Sequence, residues 1–290
     1  MSDSFYLTPE QGRALLLKIR RPDTGARANG ATLYQGPSAV DGSPIAVILT
    51  GLAANPIGYA GSARAASANS KTGDMLQTHI LRTDMSPLAA LERGCDCAIC
   101  GDCPHRSRAA GGTGACYVNV GRGEQGVWNA WARGAYPTLG RDAACAAIAA
   151  TRRGLRVGTY GDPASVPAAG RFWRPLIDAA AFHRGYTHAA HLPRGQGLRG
   201  VCMASADSAA ERDAFRAAGW AAFRVAERDS DRAPGEARCP ASAEAGHRVQ
   251  CDACPIGCAG DGLSVAIVAD RKSTRLNSSH SQQSRMPSSA

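Results

Sequence analysis

Lysine is almost missing from this chain: Lys18, Lys71 and Lys272 stand among 33 basic side chains, and the rest are arginine. With alanine abundant, this bias points to a GC-rich coding sequence more than to selection for phosphate binding. No dense Lys/Arg run occurs, so a nucleic acid is a weakly supported partner. Also lacking is any apolar run of transmembrane length, and the opening MSDSFYLTPEQ has neither the basic nor the apolar region of a signal peptide. The expectation is a cytoplasmic protein with no membrane partner. No internal repeat is found, and aromatic residues make up only 6%.

The last 21 residues, Asp270 to Ala290, resemble a translated sequencing-library adapter and are set aside as an artefactual tail. On that reading the strand-like run Leu263–Ala269 is cut off in mid-course. Four of the 33 basic and one of the 24 acidic residues lie in the tail, which leaves a net charge near +6. That is modest for a chain long enough to bury a substantial core.

What the chain does have is cysteine, eleven in all. Nine fall in two clusters: Cys95, Cys97, Cys100, Cys103 and Cys116, then Cys239, Cys251, Cys254 and Cys258. In a reducing compartment, clustered thiols are metal ligands or redox groups more often than disulfides, and an odd number cannot pair completely. Cys97-x2-Cys100-x2-Cys103-Pro104 has the spacing of a bacterial ferredoxin run without its usual fourth cysteine. Cys116, brought back by the Gly111-Gly112 turn, is the natural substitute, with His105 as a weaker one. A four-iron cluster on three cysteines keeps one iron open, as radical chemistry with S-adenosylmethionine requires. The second set, Cys239-x11-Cys251-x2-Cys254-x3-Cys258, offers four thiolates to either tetrahedral zinc or a second iron–sulfur cluster. Cys145 and Cys202 read as ordinary buried side chains.

Periodicity divides the chain into an N-terminal helix and irregular segment (1–44), an α/β metal-binding domain (45–269) with cysteine loops at 95–116 and 239–258, and the tail (270–290). Thr8-Pro9-Glu10 starts a helix running to about Arg20. Arg21–Ser43 and Gly51–Gly73 read as loops. Strands are expected at Ile45–Thr50, Met75–Leu81, Tyr117–Val120, Leu155–Tyr160, Tyr186–Ala190, Gly200–Ala204 and Ala221–Val225. Helices are expected after Ser86-Pro87 and over Gln125–Arg133, Arg141–Arg153, Phe172–His183 and Ser208–Ala218. The alternation from Leu155 onward predicts right-handed parallel βα units, hence a partial (β/α) barrel or an open parallel sheet. Ligand residues then belong at the C-terminal ends of strands, where Tyr160, Asp162, His188 and Asp207 are pocket candidates. For Asp162 the competing reading is a turn cap before Pro163.

Several segments carry a resemblance: Lys71-Thr72-Gly73, Ile99-Cys100-Gly101-Asp102-Cys103-Pro104-His105-Arg106, Cys116-Tyr117-Val118, Tyr160-Gly161-Asp162-Pro163, Gly185-Tyr186-Thr187-His188, Met203-Ala204-Ser205 and the C-terminal cysteines. Over roughly Ile45–Val268 the chain resembles a family of uncharacterised proteins from tailed phages and prophages. That resemblance makes Cys100, Cys103 and Cys116 safer ligands than Cys97. A cysteine loop followed by βα units also resembles radical S-adenosylmethionine proteins, although those enzymes carry Cys-x3-Cys-x2-Cys. The resemblances imply a phage-encoded iron–sulfur metalloprotein with a 4Fe-4S cluster, acting with S-adenosylmethionine on a nucleotide or macromolecule. The alternative is a zinc-stabilised, nucleic-acid-associated binding module without catalysis. Gly121-x-Gly123-x2-Gly126 and the histidines His183, His188 and His191 are weaker signals, for a dinucleotide loop and a metal site respectively.

Overall fold

Thr8 caps helix α1 (Pro9–Leu17) with a reciprocal capping box, its side chain accepting from the Gln11 N–H while the Gln11 side chain accepts from the Thr8 N–H. The fold that follows is known from a computed structural model, which describes residues 7–54, 56, 72–114, 116, 118–226, 228–242, 246, 249–258 and 263–268. Most of the expected loop at 51–73 and the tail at 270–290 lie outside these residues.

The protein is α/β, and its described residues form a nine-stranded sheet. Strands β1 (Gly30–Pro37), β2 (Pro44–Thr50) and β3 (Leu76–Arg82) form an antiparallel meander. From β3 onward every pairing is parallel, through β4 (Leu155–Tyr160), β5 (His183–Thr187), β6 (Met203–Ala206) and β7 (Ala222–Ala226). β9 (Ser264–Val268) pairs with β7, and β8 (Glu236–Arg238) lies outside it, also parallel. Strand order follows chain order from β1 to β7, which is the order of a singly wound sheet. A doubly wound sheet would instead reverse at a switch point.

Helix α2 (Pro87–Glu92) starts at the Ser86 cap, and Gly94 follows it with φ 68°. The single turn α3 (Cys97–Cys100) and helices α4 (Gln125–Ala132) and α5 (Arg141–Thr151) complete the β3–β4 connection. α6 (Ala169–Asp178) joins β4 to β5, and α7 (Ala209–Ala217) joins β6 to β7. Among the described residues no helix is long and apolar enough to cross a membrane.

Two faces of the sheet carry different cargo. Val157 and Gly185 face the main core with Ile148 and Trp173, and a Cβ on Gly185 would meet the Cys202 sulfur at 2.7 Å. Alternation along the strands sends Arg156, Arg184 and Tyr186 to the opposite face. There the Arg156 guanidinium lies 4.3 Å above the Tyr186 ring, and a smaller core gathers Met203, Val265, Cys239 and Cys258.

Three expectations are corrected. The segment 21–43 contains β1, whose glycines and Pro37 hide a strand that β2 secures by pairing. Helix α6 ends at Asp178 and His183 begins β5, because the run Ala179–Phe182 continues an apolar pattern past the real helix end. Residues 118–119 are not strand, and Val120–Glu124 forms a π-helical turn running into α4, so among the described residues no strand leads into the Gly121–Gly126 loop; Tyr117 lies outside them.

Candidate metal centre

Four parallel strands deliver functional side chains to one edge of the sheet. The loop carrying Cys100, Cys103, His105 and Cys116 leaves the C-terminal end of β3; Asp162 follows β4, His188 follows β5 and Asp207 follows β6. Active sites of α/β proteins form at this edge because loops there can change without disturbing the sheet.

Asp96 shapes the cysteine loop. Its buried carboxylate accepts from the Ser107 hydroxyl at 3.1 Å and the Ser107 N–H at 3.2 Å, which closes the loop on itself. Gly101, at φ 58°, lets the chain turn between Cys100 and Cys103. Burial, and then the charges of Cys116, Asp96 and Cys103, push the Cys100 thiol well up; burial, Cys103 and Asp96 also raise Cys116. Cys100, Cys103 and Cys116 are therefore electrostatic neighbours. Cys97 is not with them: its sulfur faces the Asp41 carboxylate at 3.8 Å, and Cys95 turns to the Arg93 carbonyl at 3.6 Å.

Tyr160 closes the floor of this group. It is 3% exposed, its hydroxyl has no hydrogen-bond partner, and burial followed by the Cys100, Asp96 and Cys116 charges raises its pKa far above the ordinary value. Asp162 has a different task. Its carboxylate accepts from the Ala164 N–H at 2.9 Å, the Thr187 hydroxyl at 2.7 Å and the His188 N–H at 2.8 Å. It is a turn cap that also ties the end of β4 to the end of β5.

His188 and Asp207 do converge, joined by His105. His105 Nε2 lies 2.8 Å from Asp207 Oδ1, and His188 Nε2 lies 3.9 Å from the same oxygen. Burial would lower the His188 pKa, but hydrogen bonds to Asp207 and Cys103 outweigh it and push it up to about 10. Burial likewise opposes ionisation of Asp207, yet His105 and His188 hold its carboxyl well below the usual range.

No match emerged when the chain was compared with protein-family models, with curated proteins and with solved structures.

The second cysteine set lies on the other face, around β5. Burial first, then Cys239 and Cys251, raise Cys258, and a Tyr186 hydroxyl hydrogen bond partly opposes them, leaving it pushed up to about 11. Arg184 donates to the Cys251 carbonyl at 3.4 Å and the Cys254 carbonyl at 3.1 Å, fixing the loop over the strand. Cys239, Cys251 and Cys258 thus share one neighbourhood, with Cys254 on the same arginine.

Among the described residues neither cysteine set includes three thiols as close together as one ion demands; only His105, His188 and Asp207 are that compact. Cys145 donates to the Pro175 carbonyl at 3.4 Å, and Cys202 is fully buried. Of the other histidines, His183 stands at the start of β5, away from this edge.

One element is invisible to sequence reasoning. His79 Nδ1 lies 2.7 Å from Glu124 Oε2, both side chains are almost fully buried, and His79 Nε2 reaches the Thr50 hydroxyl at 3.1 Å. The π-turn Val120–Glu124 points Glu124 inward, where its charge raises both Tyr160 and Cys116. A carboxylate in a glycine-rich stretch 45 residues from its histidine partner carries no spacing signal.

Proposed function

We propose that this chain is a phage-encoded iron–sulfur protein that holds a cluster through Cys100, Cys103 and Cys116, with a second thiolate site formed by Cys239, Cys251, Cys254 and Cys258. The observation that supports the reading is that Cys100, Cys103 and Cys116, from one loop at the C-terminal edge of the parallel strands, are electrostatic neighbours. The donor chemistry fits: Cys100 and Cys116 lie near the buried Tyr160, and Cys103 hydrogen-bonds His188.

The loop leaves the first strand of the parallel run, in a sheet wound in sequential order. The chain resembles radical S-adenosylmethionine proteins, which set their cluster loop above a partial barrel, and a loop leaving the first of the parallel strands supports that reading. The activity put forward is therefore radical modification of a nucleotide or macromolecule in the cytoplasm of an infected or lysogenic host. The cluster, when bound, would supply one-electron chemistry. The protein's own residues would shape the edge: Asp162 fixes the backbone at His188, and Tyr160 keeps water from the thiols' inner side.

A zinc-stabilised module without catalysis is the second reading, favoured by the small core that Cys239 and Cys258 build on the opposite face. Anaerobic purification followed by metal and acid-labile sulfide analysis separates the two. Brown protein containing iron and sulfide is expected, with iron content falling in Cys116→Ala. Colourless protein with stoichiometric zinc would select the module, and unchanged iron in Cys116→Ala would remove Cys116 from the ligand set.

A further inference from the structure

The geometry points to a separate mononuclear site for a divalent transition ion, held by His105, His188 and Asp207. Their ligand atoms all lie within 4.8 Å of one another, so one ion can reach all three. The two imidazole rings stand 5.6 Å apart at 71°, and an oxygen of Asp207 lies within reach of both Nε2 atoms. Two imidazoles and a carboxylate form the donor set of catalytic zinc sites and of facial iron(II) sites, both of which leave a coordination position open.

Each ligand is fixed by a contact outside the trio. The His188 N–H is bound by Asp162 at 2.8 Å, the Asp207 N–H by Glu211 Oε2 at 2.7 Å, and the His105 carbonyl by the Cys116 N–H at 3.0 Å. Glu211 is the third residue of α7, whose Ser208 cap accepts the Glu211 N–H in return, so the helix start itself positions Asp207. Outer contacts of this kind orient ligands before the ion arrives. Side-chain exposures of 25% to 32% across the trio leave the ion a path from solvent and room for water or substrate as a fourth ligand. The site takes His105 from the cysteine loop itself but uses no thiol, so zinc can be bound there without a cluster.

The test is equilibrium dialysis of the full chain, stripped of metal under anaerobic conditions, against Zn²⁺. It compares the parent with His105→Gln, Asp207→Asn and Cys116→Ser, each verified by circular dichroism. His105→Gln and Asp207→Asn should each lose one equivalent of zinc that Cys116→Ser keeps. Co²⁺ bound at that equivalent should show visible ligand-field bands that persist in Cys116→Ser. Should His105→Gln misfold, Asp207→Asn, which keeps size and shape, decides alone. Full zinc stoichiometry at unchanged affinity in the folded variants would overturn the proposal. So would an equivalent that vanishes with Cys116→Ser but survives His105→Gln and Asp207→Asn, since the ion would then sit on sulfur.

Discussion

Asp162 shows how one side chain decides whether the edge residues stay together. Its carboxylate satisfies two backbone N–H groups and the Thr187 hydroxyl, and the residue caps a turn while bracing the next strand. Leaving a buried donor unpaired costs about 1–3 kcal/mol, so Asp162→Ala should destabilise the protein by roughly 3 kcal/mol or more. Asp162→Asn, which keeps one acceptor oxygen, should cost less. Urea unfolding with an unchanged slope checks the order, and equal midpoints for the parent and Asp162→Ala would show the capping bonds to be dispensable. Tyr160, Asp162, His188 and Asp207 were legible in the sequence because each ends or follows an apolar run that can only be a buried strand. Their division of labour was not, since only the folded backbone shows that Asp162 spends its oxygens on N–H groups while Asp207 turns toward imidazoles. The His79–Glu124 pair was hidden for a related reason: neither residue interrupts a pattern, and only the π-turn aims Glu124 inward.

At the scale of elements, the last three strands of the sheet are tied together by an ion pair that crosses a strand. Arg224 on β7 grips Glu236 on β8 through two hydrogen bonds of 2.8 and 2.6 Å, although β9 lies between those strands. The Glu236 side chain is 0% exposed and also accepts from the Ala233 N–H at 2.7 Å. Removing one partner from a buried pair costs about 3–5 kcal/mol, because the other charge is left buried and uncompensated. Glu236→Gln should therefore loosen β8 and lower the melting temperature. Burial alone would raise the Glu236 pKa, but Arg224 and the Ala233 N–H outweigh it and hold the carboxyl below 4.5. A depressed carboxyl contributes stability that is complete above its unfolded value and disappears as pH falls through the folded one. The parent should thus lose more stability than Glu236→Gln on acidification below pH 4.5, and parallel stability curves would refute this role. Sequence reading marked β7 and α7 nearly to their ends, through the Ser208 cap and alternating apolar residues. It missed β8, because a three-residue strand held by an arginine from β7 has no periodicity to detect.

For the whole molecule, singly wound order sets the two cysteine groups on separate supports. Alternating parallel units were legible from the strand and helix runs after Leu155, whereas the antiparallel start was half hidden, since β1 depends on pairing with β2 more than on its own composition. The first thiol group sits above the strand ends with Tyr160 and Asp162, and the second packs on the opposite face with Tyr186 and Arg184. Sites with different neighbours respond independently to mutation, to within about 0.5 kcal/mol. Under the proposed function, Cys251→Ser should therefore reduce metal content at the second site and leave the iron content assigned to Cys100, Cys103 and Cys116 at the parental level, while Cys116→Ser does the reverse. The small core under the second group buries only Met203, Ala221, Ala241 and Val265 besides Cys239 and Cys258, with Tyr186, Phe223, Ile256 and Ile267 partly buried against it, so metal held there under the proposed function should add to the local stability. Hydrogen exchange would then quicken in β8 and β9 of Cys251→Ser while β2, β3 and β4 keep their protection. Loss of protection across all five strands would mean that the two faces unfold as one unit, and the independence argued from their separate neighbours would fail.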